Sequence, residues 1–410
     1  MKQVHGSRDP ETVLRGGIVY DGSTAPRAAD VAIAGERVAW VATHAQRADG
    51  SREIDARGLL VVPGLVDLHV HAFAGVGESG EPDALCVRRG TTTAVDGGSA
   101  GALTFGALRR VAERSETRLL AWLNLSTIGL VDTRVPELVA DLHMDVDAAI
   151  NTALENSDMI VGFKVRLSTY AAGTSSLGVL KRVRVAAEST SLPVLVHVGD
   201  TAEPLEEILE WLRPGDVVTH VFTGRRHGIL SPSGRVLRGV REAQRAGVSF
   251  DVGRGRMHLS LPVARAAISQ GFLPDTISTD ITGPAAKDLR FSLPSVATFF
   301  FALGVPVSEL ISRMTTRPAL AIGRPALGMI EAGGEADLTL LRLTERPGFV
   351  RDTDGRQRRS RLQLEPVAVM RRGAYRALAA EVGGAGAGRA SEAEPARGAE
   401  LPYGGADREV

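Results

Sequence analysis

Along this chain the hydrophobic positions change rhythm twice. Up to about residue 62, the stretches TVLRGGIVYDG, DVAIAGERVAWVA and LLVVPG form short apolar runs separated by glycine-containing turns, and AGER between two alternating runs reads as a hairpin. Residues 1–62 are therefore expected to form a small β-region. The same rhythm returns in ADLTLLRL (336–343) and PVAVMRRGAYRAL (366–378), so residues 324–378 are expected to complete one β-sandwich domain with the N-terminal strands. Between residues 63 and 323 the pattern shifts to eight short apolar or β-branched runs: 65–71, 91–99, 118–126, 160–168, 193–200, 216–224, 248–255 and 276–283. The segments between them, such as EPLEEILEWLR and GRVLRGVREAQRAG, have helical spacing. Eight βα units over this length predict an α/β fold with a (β/α)8 TIM barrel. A doubly wound open sheet competes, but no G-x-G-x-x-G follows the first run. Residues 379–410, rich in Gly, Ala and charge, offer almost nothing large to bury and are expected to form a disordered tail.

Composition narrows the function. The 410 residues carry 48 Lys+Arg and 48 Asp+Glu, and no basic patch with interleaved aromatics stands out, so neither nucleic acid nor an anionic membrane is an expected partner. A small-molecule substrate is, and a homo-oligomer is compatible with the sequence. The single cysteine, Cys86, excludes an internal disulfide or a cysteine-rich metal cluster. The N-terminus lacks the apolar core of a signal peptide and no apolar run is long enough to span a bilayer, so a cytoplasmic location is expected. Only Lys2, Lys164, Lys181 and Lys287 are lysines, leaving 48 − 4 = 44 arginines, which makes a lysine at a strand end conspicuous.

The candidate chemistry sits at those ends. In PGLVDLHVH, side chains two apart share a face, so Asp67, His69 and His71 are expected to point one way and Val66, Leu68 and Val70 the other, toward the helices. Histidines at the C-terminal end of a barrel strand face the mouth, where such enzymes keep their sites, and two imidazoles there suit a divalent metal. A lone H-x-H is weak, but Lys164, His197, His220 and Asp280 end other runs. The remaining histidines, His5, His44, His143, His227 and His258, fall outside these ends and read mostly as surface residues. Arg166, two residues beyond Lys164, should share its inward face and suits a substrate carboxylate; a structural ion pair is the alternative. Asp96 and Asn124, at the ends of the second and third runs, are further candidates for contacts with the substrate or with the residues that hold the site.

In P-G-x-x-D-x-H-x-H, the ordered Lys164, His197, His220 and Asp280, and a closing G-x-x-A-D-L, the chain resembles the amidohydrolase superfamily of metal-dependent hydrolases. GTTTAVDGGSAGALTF, GFKVRLS, THVFTG and PDTISTD are similar to its dihydroorotase-like branch, which includes deacetylases acting on acetylated α-hydroxy acids such as acetyl-(R)-mandelate. The resemblance implies two divalent metal ions, with zinc favoured by the donor set: His69, His71 and Asp280 on the more buried ion, His197 and His220 on the more exposed one, and Lys164 bridging both as a CO₂-derived carbamate. Asp280 would also be the catalytic base and acid. One departure is Arg254 in DVGRGRMHLS, where the branch tends to have G-H-G, which affects substrate preference at the mouth. The implied activity is hydrolysis of an acetyl ester or amide of a small carboxylated substrate. The alternatives are a cyclic amide or imide hydrolase of the dihydroorotase or hydantoinase kind and a non-catalytic scaffold barrel.

Overall fold

The computed structural model describes residues 10–43, 50–132, 134–288 and 291–378; the expected tail at 379–410 lies outside them, as do His5 and His44. The N-terminal strands are β1 (Thr12–Val19), β2 (Arg27–Ala34), β3 (Arg37–Ala42), β4 (Arg52–Asp55) and β5 (Leu60–Pro63). With β13 (Leu338–Thr344), β16 (Gln363–Arg371) and β17 (Ala374–Ala377) they form one sheet in the order β17-β16-β13-β5-β1-β2-β3, with β4 paired to β1. Leu14, Val31, Ile33, Val61, Leu338, Leu340 and Met370 bury its apolar face together. Both chain ends thus make a separate sheet, as expected from the returning alternation. A second hairpin, β14 (Gly348–Arg351) with β15 (Gln357–Ser360), leaves that sheet between β13 and β16.

The barrel follows in sequence order. Strands β6 (Leu65–Val70), β7 (Thr91–Asp96), β8 (Arg118–Asn124), β9 (Ile160–Arg166), β10 (Val194–His197), β11 (Val217–Thr219) and β12 (Ser249–Asp251) pair in parallel, each with the next. The eighth run is not a regular strand. Thr276 bridges Asp251 and Ile281 bridges Val70, and the backbone bonds Val252 N–H to Thr276 O, Gly255 N–H to Thr279 O and Asp280 N–H to His69 O close the ring. Phe163, Val165, Val194, Val196 and Val218 pack outward against helix residues such as Phe105, Leu108, Val179 and Val183. Among the described residues, no helix is long and apolar enough to cross a membrane.

The simple alternation expected of β6 fails. Val66 and Leu68 do not join Val70 in the helix-facing core; they pack with Leu120, Trp122, Leu195 and Val217 in a separate cluster. The β6–β7 register shifts between Asp67 and Val70, so strict period two does not run through the segment that contains His69.

Candidate active site

Six strand-end side chains converge. His71 Nε2 lies 3.1 Å and His69 Nε2 3.5 Å from Asp280 Oδ1. Lys164 Nζ is 3.1 Å from His69 Nε2, and His220 Nε2 is 2.9 Å from His197 Nδ1. Two donors on one tetrahedral zinc, each about 2.0–2.1 Å from it, sit about 3.3 Å apart, so these separations are of the right size for shared ions. Ring nitrogens of His69 and His220 and an oxygen of Asp280 all lie within 4.8 Å of one another.

Hydrogen bonds fix which nitrogen each imidazole offers. Thr219 Oγ1 donates its only proton to Asp251 Oδ2 at 2.7 Å, so it accepts from His69 Nδ1 at 3.0 Å and leaves the Nε2 lone pair facing the cluster. Gly253 O can only accept, so His220 Nδ1 donates to it at 2.7 Å and the Nε2 lone pair is turned toward His197. His71 Nδ1 is 2.8 Å from Ser99 Oγ, itself on a loop held by Asp96, which accepts from the amides of Gly98, Ser99 and Ala72. Burial holds His69, His197 and His220 well below the usual imidazole range, which keeps them neutral and fit to ligate. Burial also brings Lys164 down to about 7, so that a large share of it is the neutral amine near neutral pH.

Close approach explains the glycine pair in TTTAVDGGS. A Cβ on Gly97 would collide with the His69 ring and one on Gly98 with the Lys164 side chain, so only glycine lets the β7 loop pass over the cluster. His220 (φ 72°) and Asp280 (φ 50°) adopt left-handed backbone without being glycine, a conformation costing about 1–3 kcal/mol each that is typical of functional sites.

The other candidates separate. Arg166 donates from Nε and Nη2 to Glu137 at 2.6 Å each, with the Glu137 side chain 1% exposed. The ion-pair alternative is therefore present, although the Arg166 charge still acts on Lys164 and His197. Asn124 donates to Gly98 O and accepts from Ser126 N–H, which spends its amide on the loops. Arg254 stacks over Phe291 at 4.6 Å and donates to Gly255 O, so it engages the segment after the eighth run.

One residue read as surface belongs inside. The His258 ring stacks on His220 with centroids 3.9 Å apart and meets His197 edge-on at 4.9 Å. It follows no strand directly, so strand-end reasoning passes over it. Glu137, Thr219 and Asp251 were missed too; Thr219 and Asp251 lie within the sixth and seventh runs, whereas Glu137 lies in none.

A parallel barrel with imidazoles, a carboxylate and a low-pKa lysine at the C-terminal ends of its strands defines a hydrolase scaffold of the metal-dependent kind. Residues 60–368 match the amidohydrolase family, and the chain belongs to it. It is 34% identical to a deacetylase of Agrobacterium fabrum, over 82% of this chain and 84% of that one. A deacetylase of Brucella anthropi is 34% identical, over 76% and 79%. The crystal structure of a dihydroorotase superposes with a TM-score of 0.82 at 32% identity, covering 91% of this chain and 98% of that one.

Proposed function

We propose that this hydrolase is a binuclear metal-dependent deacetylase acting on a small carboxylated substrate, an acetylated α-hydroxy or amino acid. The observation that carries the reading is the convergence of these strand ends, with His69 and His71 against Asp280, His220 against His197 and Lys164 against His69, together with the deacetylase relatives. His69, His71 and Asp280 would hold one ion and His197 and His220 the other, and Lys164, as a carbamate, would supply one negative charge shared over two oxygens, as a bridge requires. Two ions so held supply Lewis acidity and a water that ionises near neutrality, and zinc suits this donor set.

Asp280 turns Oδ1 toward the two histidines; its carboxylate takes the proton of the attacking water and passes it to the leaving oxygen or nitrogen. Water adds to the acetyl carbon, the bond to the alcohol or amine breaks, and acetate leaves. Arg166, held rigid by Glu137, would meet the substrate carboxylate. The likeness to a dihydroorotase structure favours a second reading, hydrolysis of a cyclic amide, since the same constellation serves both. Elemental analysis should find two divalent ions per chain. A screen of acetylated hydroxy and amino acids of both hands beside cyclic ureides should give turnover on the acetylated set. A stoichiometry fixed at one ion would sink the binuclear reading, and turnover confined to cyclic amides would replace deacetylation with the second.

A further inference from the structure

His258 lies against the cluster although it ends no strand. It comes four residues after Arg254, whose carbonyl accepts from the His258 amide at 3.2 Å, so a turn beyond β12 folds the segment back over the mouth. Left-handed Gly253 and Gly255 make that reversal. The segment is then pinned from both sides: Ser260 N–H donates to Phe222 O, and Leu259 N–H donates to Thr353 Oγ1. This anchoring brings the imidazole against His220 and His197.

Two independent observations point to a ligand. One ring nitrogen from each of His197, His220 and His258 lies within 4.8 Å of the other two, which makes a three-imidazole donor set. His258 Nδ1 is buried and has no hydrogen-bond partner, a condition that is costly unless something else satisfies it. The neighbouring donors cannot help. His220 Nδ1 already donates to Gly253 O, and its Nε2 faces His197.

We propose that His258 is a third imidazole ligand for the ion held by His197 and His220. The proposal rests on the binuclear reading above and adds to it a nitrogen that makes the more exposed site richer in neutral donors than the His69–His71–Asp280 site. Such a set favours borderline ions such as zinc, cobalt and nickel over magnesium or calcium.

The test uses the full-length protein, loaded with zinc or with cobalt(II) in the presence of bicarbonate, as wild type, His258→Ala and His258→Asn. Stepwise affinities come from chelator competition, and cobalt visible absorption reports coordination without relying on turnover. In both variants the first ion should bind as in wild type, which also shows that the fold is retained. The second should bind at least tenfold more weakly, with altered cobalt bands, and added imidazole should restore the bands in His258→Ala. Unchanged second-ion affinity and spectrum in both variants would overturn the proposal while leaving the binuclear reading intact. Wild type that takes up only one ion would overturn both.

Discussion

At the scale of single residues, Lys164 joins the most observations. Lys164→Ala should lose metal and activity together, and acetate or propionate should restore part of the activity by filling the vacated space with a bridging carboxylate. Lys164→Arg should fail without rescue, because a guanidinium neither forms a carbamate nor leaves space. An active Lys164→Arg enzyme would return the lysine to a structural role. Titration gives a second check. Burial lowers the folded-state pKa from 10.5 to about 7, so between those values the unfolded chain holds a proton that the folded chain has released. Stability conferred by this group therefore rises with pH across that window. In CO₂-free buffer, metal-free wild type should gain in melting temperature relative to metal-free Lys164→Met between pH 7 and about pH 10. A constant difference would exclude the shift. These six strand-end residues were legible because a parallel barrel collects strand ends at one mouth whatever the helices do. His258 was not, because its place depends on a reversal after β12. Nor was the Arg166–Glu137 pair, whose partners stand 29 residues apart with Glu137 in irregular chain.

Between elements, the barrel is closed by buried side-chain acceptors as much as by strand pairing. Asp251 accepts from Thr219, Thr276 and Ser278 hydroxyls, and Asp67 accepts from the Thr279 amide and hydroxyl, tying β12 and β6 to the eighth run. Burial raises Asp67 to about 7 and Asp251 to about 6 against the pull of those bonds. The sequence displays the eighth run as β-branched residues but not its irregular path, since the left-handed Asp280 and these aspartate contacts are tertiary. Thr219 also orients His69, so Thr219→Val should strip an acceptor from His69 Nδ1 while conserving volume. Metal affinity by chelator competition should fall about 10–100-fold, as for other groups that orient a ligating imidazole. Thr219→Ser should keep near-normal affinity, and equal losses in both variants would mean that packing, not the hydrogen bond, matters at this position.

For the molecule as a whole, the C-terminal strands do two separate jobs. In the sheet, buried Asp337 accepts from Arg371 at 3.0 Å and from Arg118 at the start of β8 at 3.1 Å, joining the sheet to the barrel. Asp337→Ala leaves two arginines without that partner, and should lower stability by about 3–5 kcal/mol in denaturant titration while leaving metal binding intact. The β14–β15 hairpin instead leaves the sheet for the barrel mouth. Its turn is visible in the sequence as DTDG, but its docking is not, because the contacts join residues about ninety apart. There, buried Asp352 accepts from Leu261 N–H at 2.9 Å, and Thr353 N–H donates to Leu259 O. This clamp holds the segment next to His258, so the hairpin steadies the mouth from outside the barrel. Asp352→Ala removes an acceptor shared by the amides of Leu261, Asp354 and Arg356, which costs about 1–3 kcal/mol locally. Hydrogen exchange at the Leu261 amide should speed up markedly, whereas amides within β6 to β11 should keep their wild-type rates. Unchanged exchange at Leu261 would show that the hairpin does not hold this segment, and a uniform rise across the barrel would mean that the variant had lost global stability instead.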